Sequence, residues 1–314
     1  MALDPVLQQI IAQLPVPTSD KIDHEVMRRD MDAMIAIFHG PDGPIEVGSV
    51  ENMDIAGDGG PVPLRIIRPL TAPTGTMHLL HGGGWAFGSI EFIEPLARRL
   101  ARDLSMVVVA SGYRLAPENP FPAGFNDCLA AARWTMEHAA ELGGAGNPTV
   151  IAGESAGGNL AAAVALALAE EGRGNFDAQL LFFPAVDLRE EAANYPSRIA
   201  NADPTLRTEI LPQLVRDYCG AHNPADPHIS PLMSGQLDTV PPAVIVVLEV
   251  DPLRDEAVAY ADRLREAGVD VELVKFDNLT HGFNNLCALV PAATEATEVV
   301  EQRLMTLLAR NIRD

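Results

Sequence analysis

An α/β fold around a mostly parallel, eight-stranded sheet with helices on both faces is predicted by three features of the sequence. From about residue 46 to 284, short strand-like runs alternate with longer helical ones, the rhythm of a doubly wound sheet. Runs such as Met106–Ala110 and Ala243–Leu248 are continuously apolar, as strands covered on both faces must be. The third feature is Thr149–Ala152, a short apolar run followed by a glycine-pinched turn and the Ala/Leu-rich stretch Asn159–Glu170. Strands are expected at 46–55, 62–68, 75–80, 106–111, 149–153, 178–183, 243–250 and 271–276. Helices are expected at 91–103, 125–141, 156–171, 254–267 and 292–310. The first two strand runs are polar and close together, which suits an antiparallel edge.

Two segments break the rhythm. Residues 1–45 carry amphipathic helical patterns at Val6–Leu14 and Ile22–Phe38 before the first strand. Residues 188–240 show no strand, one helix near Glu209–Cys219, and several Asp-Pro and Asn-Pro breaks. Insertions above the carboxyl edge of such a sheet cover a ligand crevice, so 1–45 and 188–240 are expected to pack together as a helical cap. The α/β domain then comprises 46–187 and 241–314.

Bulk properties narrow the functional classes. The 314-residue chain is 47% hydrophobic and 21% charged, enough to bury a large core. With 43 acidic against 22 basic residues its formal charge is −21, which repels nucleic acid and anionic membranes. The longest apolar stretch, Leu160–Ala169, is about half the ~20 residues a bilayer span needs, so no stable membrane insertion is expected. Met1–Pro5 lacks the basic and apolar regions of a secretory leader, and Cys128, Cys219 and Cys287 are odd in number and unclustered. A cytoplasmic protein with reduced thiols is expected. No histidine or cysteine spacing fits a metal site, His24-Glu25 lacking a second histidine four residues after the first.

The turn after Ala152 reads Gly153-Glu154-Ser155-Ala156-Gly157, a Gly-x-Ser-x-Gly in strand–turn–helix context. There the serine hydroxyl is lifted clear of the sheet and becomes a candidate nucleophile, facing the positive end of a helix. A serine nucleophile needs a base, an acid to orient the base, and donors for the oxyanion. His281, in Leu279–Phe283, follows the last strand and so falls at the same sheet edge as Ser155; apart from His81, the other histidines lie in helical, cap or strand segments. Asp251 stands at the end of the preceding strand run; Asp255, one helical turn on, is its rival, with capping or pairing at the helix start as the alternative use. His81-Gly82-Gly83-Gly84-Trp85 follows the strand 75–80, and three consecutive glycines let N–H groups face inward. Gly82, Gly83 and Ala156 are the candidate oxyanion donors, and His81 anchors their loop. Trp85, Phe87 and Phe283 are candidate apolar walls around a substrate, with burial in the core as the alternative for each.

Taken in order, His81–Trp85, Tyr113-Arg-Leu-Ala-Pro-Glu118, Gly153–Gly158, Asp251–Glu256 and His281–Phe283 resemble the hormone-sensitive lipase family of α/β-hydrolases, bacterial carboxylesterases in particular. The resemblance implies an α/β-hydrolase fold with Ser155 as nucleophile, His281 as base and Asp251 as orienting acid, in the chain order of that fold. It implies hydrolysis of short- to medium-chain acyl esters without a cofactor, with a small-molecule ester as the partner; an exposed last strand or helix leaves a homodimer open, and no residue fixes the oligomeric state. It also implies that Arg114 and Glu118 fix a loop and that the peptides before Pro117 and Pro122 are cis. Glu154 departs from the Asp or Thr of many relatives, and Val250 from a residue often small or aromatic. A catalytically silent ligand-binding homologue, as in plant gibberellin receptors, is disfavoured because Ser155, Asp251 and His281 are all present. Cleavage of an amide, a lactone or an acetylated natural product would use the same site chemistry.

Overall fold

The computed structural model describes residues 2–13 and 22–311; Leu14, the expected end of the first helix, lies outside them. Eight strands form one sheet: β1 (Ser49–Gly57), β2 (Gly60–Arg68), β3 (Thr76–Leu80), β4 (Val107–Ser111), β5 (Thr149–Glu154), β6 (Ala178–Phe182), β7 (Ala243–Leu248) and β8 (Val271–Phe276). Their order is β1-β2-β4-β3-β5-β6-β7-β8. β1 pairs antiparallel with β2, and β2 antiparallel with β4. From β4 through β8 every pairing is parallel. The two polar runs thus form the antiparallel edge, although β1 starts three residues later than its sequence pattern suggests.

The helices are α1 (Pro5–Ile11), α2 (His24–Phe38), α3 (Ile90–Leu104), α4 (Ala123–Leu142), α5 (Ala156–Glu171), α6 (Pro196–Ala200), α7 (Leu211–Cys219), α8 (Arg254–Glu266) and α9 (Pro291–Asn311). Alternate residues of the central strands feed two cores. Ile151, Leu181 and Ile245 face α4, α5 and α8, while Ala152, Leu180 and Val246 face α3 and α9. β5 is buried along nearly its whole length, which explains its unbroken apolar pattern. α5 buries 13 of its 16 residues, so it shows no polar face and reads as a core helix.

Within 188–240 the described structure consists of α6, α7 and short 3₁₀ turns at Glu190–Asn194, Thr208–Ile210, Pro231–Met233 and Leu237–Thr239. The single helix expected near 209–219 is there, and α6 is an addition that five residues could not reveal by periodicity. This segment meets the N-terminal one: the Ile22 N–H donates to Gln213 Oε1 at 3.1 Å and His24 Nε2 lies 2.9 Å from Asp217 Oδ2. Ile22, Met27 and Met31 pack with Phe87, Ile210 and Leu214 in a small apolar cluster. Arg28 ties α2 to the α/β body, its guanidinium donating to both oxygens of Glu118 and to the carbonyls of Ala86 and Ala116. That pairing holds the Glu118 carboxyl down at about 2. Glu118 therefore fixes α2, whereas Arg114 fixes its own loop through Asp127 with two contacts of 2.8 Å. The peptides before Pro117 and Pro122 are cis.

Candidate active site

Ser155 sits between β5 and α5 with φ +55° and ψ −118°, a conformation that costs a non-glycine residue on the order of 1–3 kcal/mol. The turn is held from both sides, Ser155 N–H donating to Phe182 O at 2.9 Å and Ala185 N–H to Ser155 O at 3.3 Å. It closes so tightly that a Cβ on Gly157 would come 2.3 Å from Leu80 O and 2.4 Å from His81 O. Only glycine fits there. The strain lifts Oγ out of the helix-cap position, and α5 has no side-chain cap.

His281 lies in the loop after β8 and Asp251 in the turn after β7, whose last strand residue is Leu248 rather than Val250. Ser155 Oγ is 2.8 Å from His281 Nε2, and His281 Nδ1 is 2.8 Å from Asp251 Oδ2. A carboxylate only accepts, so Nδ1 carries the proton and Nε2 is left as acceptor for the serine hydroxyl. Asp251 is fully buried, and its other oxygen accepts the Leu253 N–H at 2.8 Å. Burial alone would lower the His281 pKa, but the charge and hydrogen bond of Asp251, with the charges of Asp203 and Glu154, hold it above the ordinary value. Asp255 faces elsewhere, accepting Ser197 N–H at 2.8 Å and pairing with Arg254.

The loop after β3 lies against the elbow. A Cβ on Gly82 would meet Glu154 O at 3.0 Å, and Gly83, at φ +113°, would place one 2.5 Å from Phe87 O. Gly83 thus demands glycine and Gly82 is tightly packed, and Gly82 lies against Glu154, two residues before Ala156 begins α5. His81 is buried and does not face Ser155. It stacks on Tyr113 at 4.2 Å, its Nδ1 lies 2.8 Å from Gly82 O, and burial lowers its pKa to about 4. An uncharged anchor is the use its surroundings allow.

A cavity of about 40 Å³ opens over Ser155, lined among others by Trp85, Leu188, Arg198, Leu206, Leu211 and Leu214. Of the three aromatics expected to wall a substrate, Trp85 lines it, stacked on Tyr218 at 4.6 Å with its indole N–H donating to Asn159 Oδ1. Phe87 and Phe283 do not. Phe87 is buried in the apolar cluster beneath α2 and α7. Phe283 is fully buried between Phe183 and Phe276, because Gly282, at φ +77°, turns the chain down into the core. Four contributors were not legible as site residues: Arg198, buried and paired with Glu256; Asp203 and Thr205, which bond the His281 backbone; and Asn284, which donates to Glu154. Glu154 is fully enclosed behind the elbow and also accepts from Asn285 at 3.2 Å; burial raises its pKa against the pull of both amides. Among the described residues no cluster of three His, Cys, Asp or Glu side chains could hold a metal ion, and no helix is long and apolar enough to cross a membrane.

The family model that describes the α/β-hydrolase fold matches residues 77–285, which contain the whole constellation. The chain belongs to the α/β-hydrolase family. Among curated relatives, the carboxylesterase NlhH of Mycobacterium tuberculosis is 36% identical, covering 94% of this chain and 93% of its own. An arylesterase of Saccharolobus solfataricus is 32% identical over 90% and 92% of the two chains. The solved structure of a hyperthermophilic esterase from Pyrobaculum calidifontis superposes with a TM-score of 0.88 at 32% identity, covering 99% of this chain and 100% of that one. This α/β-hydrolase is a carboxylic ester hydrolase, in keeping with the resemblance of its motifs to hormone-sensitive lipase esterases.

Proposed function

We propose that this esterase cleaves esters of short acyl chains through an acyl-enzyme on Ser155, with His281 as base and Asp251 as the acid that orients it. The observation that carries the reading is the unbroken line of two 2.8 Å contacts from Ser155 Oγ through the imidazole to buried Asp251. As Oγ attacks the ester carbonyl, its proton passes to Nε2, and the imidazolium is stabilised by the carboxylate across Nδ1. The N–H groups of Gly82, Gly83 and Ala156 take the oxyanion, each such donor being worth on the order of 10²–10³ in rate. His281 then gives its proton to the leaving alcohol and activates water to release the acid. The segments 1–45 and 188–240 serve as a cap, a reading supported by Leu206, Leu211 and Leu214 in the cavity wall and by the packing of Ile22, Met27 and Met31 on Ile210 and Leu214.

The cavity supports the short-chain preference. The cavity over Ser155 is small, about 40 Å³, and apolar side chains wall it, which favours acetyl to butyryl groups over long chains. We expect kcat/KM for p-nitrophenyl acetate and butyrate to exceed that for dodecanoate at least tenfold; a profile that is flat or rises with chain length would contradict the assignment. The pH profile follows from the same geometry. The base works only when neutral, so kcat/KM should rise through a limb centred above the ordinary imidazole value of about 6.5. A profile flat from pH 5 to 8 would rule out His281.

A further inference from the structure

The insert does more than roof the cavity. Its turn 203–206 grips the main chain of the histidine loop on both sides of the ring. Asp203 Oδ2 accepts the His281 N–H at 2.7 Å. The Thr205 hydroxyl lies 3.0 Å from His281 O and 2.6 Å from Asp203 Oδ1, so its single proton is shared between the two acceptors. Asp203 Oδ1 also accepts the N–H groups of Thr205 at 2.8 Å and Leu206 at 3.3 Å, which makes the turn rigid. Asp203 is 3% exposed; burial and the charge of Asp251 raise its pKa, and the four donors that converge on its two oxygens, with the charge of His281, oppose that rise by favouring the carboxylate.

His281 needs such a device. It stands outside the sheet, in a loop whose backbone is tied to a distant segment at Asn278, which accepts the Asp4 N–H, and whose pairs around His281 itself are local. Its neighbours Asn284 and Asn285 are held by Glu154, and its ring lies against Phe183 at 4.5 Å, but neither fixes the peptide groups on either side of the ring. An acceptor on its N–H and a donor on its C=O do. The same turn carries Leu206 into the cavity wall over Ser155.

We propose that Asp203 and Thr205 are positioning residues of this esterase, holding the main chain of His281 so that its ring spans Ser155 and Asp251. The inference rests on the assignment of His281 as base. The charged groups that face the imidazole are Asp251 from the turn after β7, Glu154 from the end of β5, and Asp203 from the insert. Asp203 therefore acts in two ways: through geometry, and as one of three negative neighbours that stabilise the imidazolium.

The two actions separate in experiment. In the full-length protein, Asp203→Asn keeps the shape but replaces one acceptor oxygen with a donor, so either the His281 bond or the turn is lost. A misplacement of an ångström costs on the order of 10²-fold. We expect kcat on p-nitrophenyl butyrate to fall roughly 10- to 100-fold with KM changed less than about threefold. The acid limb of kcat/KM should move to lower pH, because the imidazolium has lost a negative neighbour. Thr205→Val should lower kcat with the limb unmoved, and Thr205→Ser should restore it. Wild-type kcat in Asp203→Asn, or a reduced kcat with an unmoved limb, would overturn the proposal. If Asp203→Asn does not fold, the threonine pair decides: Thr205→Val at wild-type kcat refutes the clamp. Failure of the base assignment itself would show differently, as activity surviving in His281→Ala.

Discussion

Ser155→Ala should lower kcat for p-nitrophenyl butyrate by about 10⁴–10⁶ while the protein stays folded. The loss is large because the hydroxyl is the group to be acylated, and His281 and Asp251 act only through it. The fold should survive because the turn is held by backbone bonds to Phe182 and Ala185 and by the close approach of Gly157 to Leu80, none of which uses Oγ. Alanine also keeps the strained φ of +55°, so no strain is released or added at that position. The His281 side chain left behind is partly exposed, so water replaces the lost partner. Thermal melts of the two proteins should agree within about 2–4 °C, the shift that ~1 kcal/mol produces in a domain of this size. Turnover near the wild-type rate in the folded variant would remove Ser155 from the mechanism.

The largest loss of stability is expected from Arg198→Ala. Glu256 is fully buried at the start of α8, and its Oε1 accepts the N–H groups of Val186 and Asp187. Its Oε2 is paired with the Arg198 guanidinium, which also donates to Asp187 O. Burial already pushes the Glu256 carboxyl up to about 7 against the pull of that cation. Without the cation, the carboxylate is left uncompensated, at a cost of about 3–5 kcal/mol. Water entering through the cavity that Arg198 lines sets the lower end of that range. The sign with pH is definite. In the variant the folded-state pKa lies further above the unfolded value of about 4.5, so the native state holds the proton more tightly. The contribution of Glu256 to its stability should therefore be fully present below the unfolded pKa and be lost as pH rises through the folded one. Replacing both partners, as R198M/E256L, should recover most of the loss. Denaturant midpoints at pH 5 and 8 measure this directly, and a single variant as stable as wild type at pH 8 would show the pair to be dispensable.

The central sheet was legible because burial on both faces leaves an unbroken apolar run, as in β7, and because α5, enclosed all round, leaves an Ala/Leu run of helical length. Ser155, Asp251 and His281 were legible as candidates for a topological reason. Each follows a strand, and parallel strands deliver their carboxyl ends to one edge. The insert resisted reading because its order comes from side-chain bonds to backbone rather than from periodicity. Asp203 is an example: its turn is visible only as Asp-Pro-Thr, a pattern that predicts a turn and nothing about what the carboxylate will hold. Arg198 carries no signal of its own in the sequence, because it is α6 that places it over Glu256, 58 residues away. For Phe87 and Phe283 the sequence left substrate wall and core open, because nearness to a reactive residue in sequence does not set side-chain direction. In Phe283 the left-handed Gly282 reverses it.

The acyl-enzyme on Ser155 is tested most directly by trapping its tetrahedral counterpart. A p-nitrophenyl alkylphosphonate should release one p-nitrophenolate per active chain, and mass spectrometry of the digested protein should place one phosphonyl group on Ser155. His281→Ala should react far more slowly. An adduct on any other residue, or full esterase activity in protein already labelled at Ser155, would contradict the mechanism.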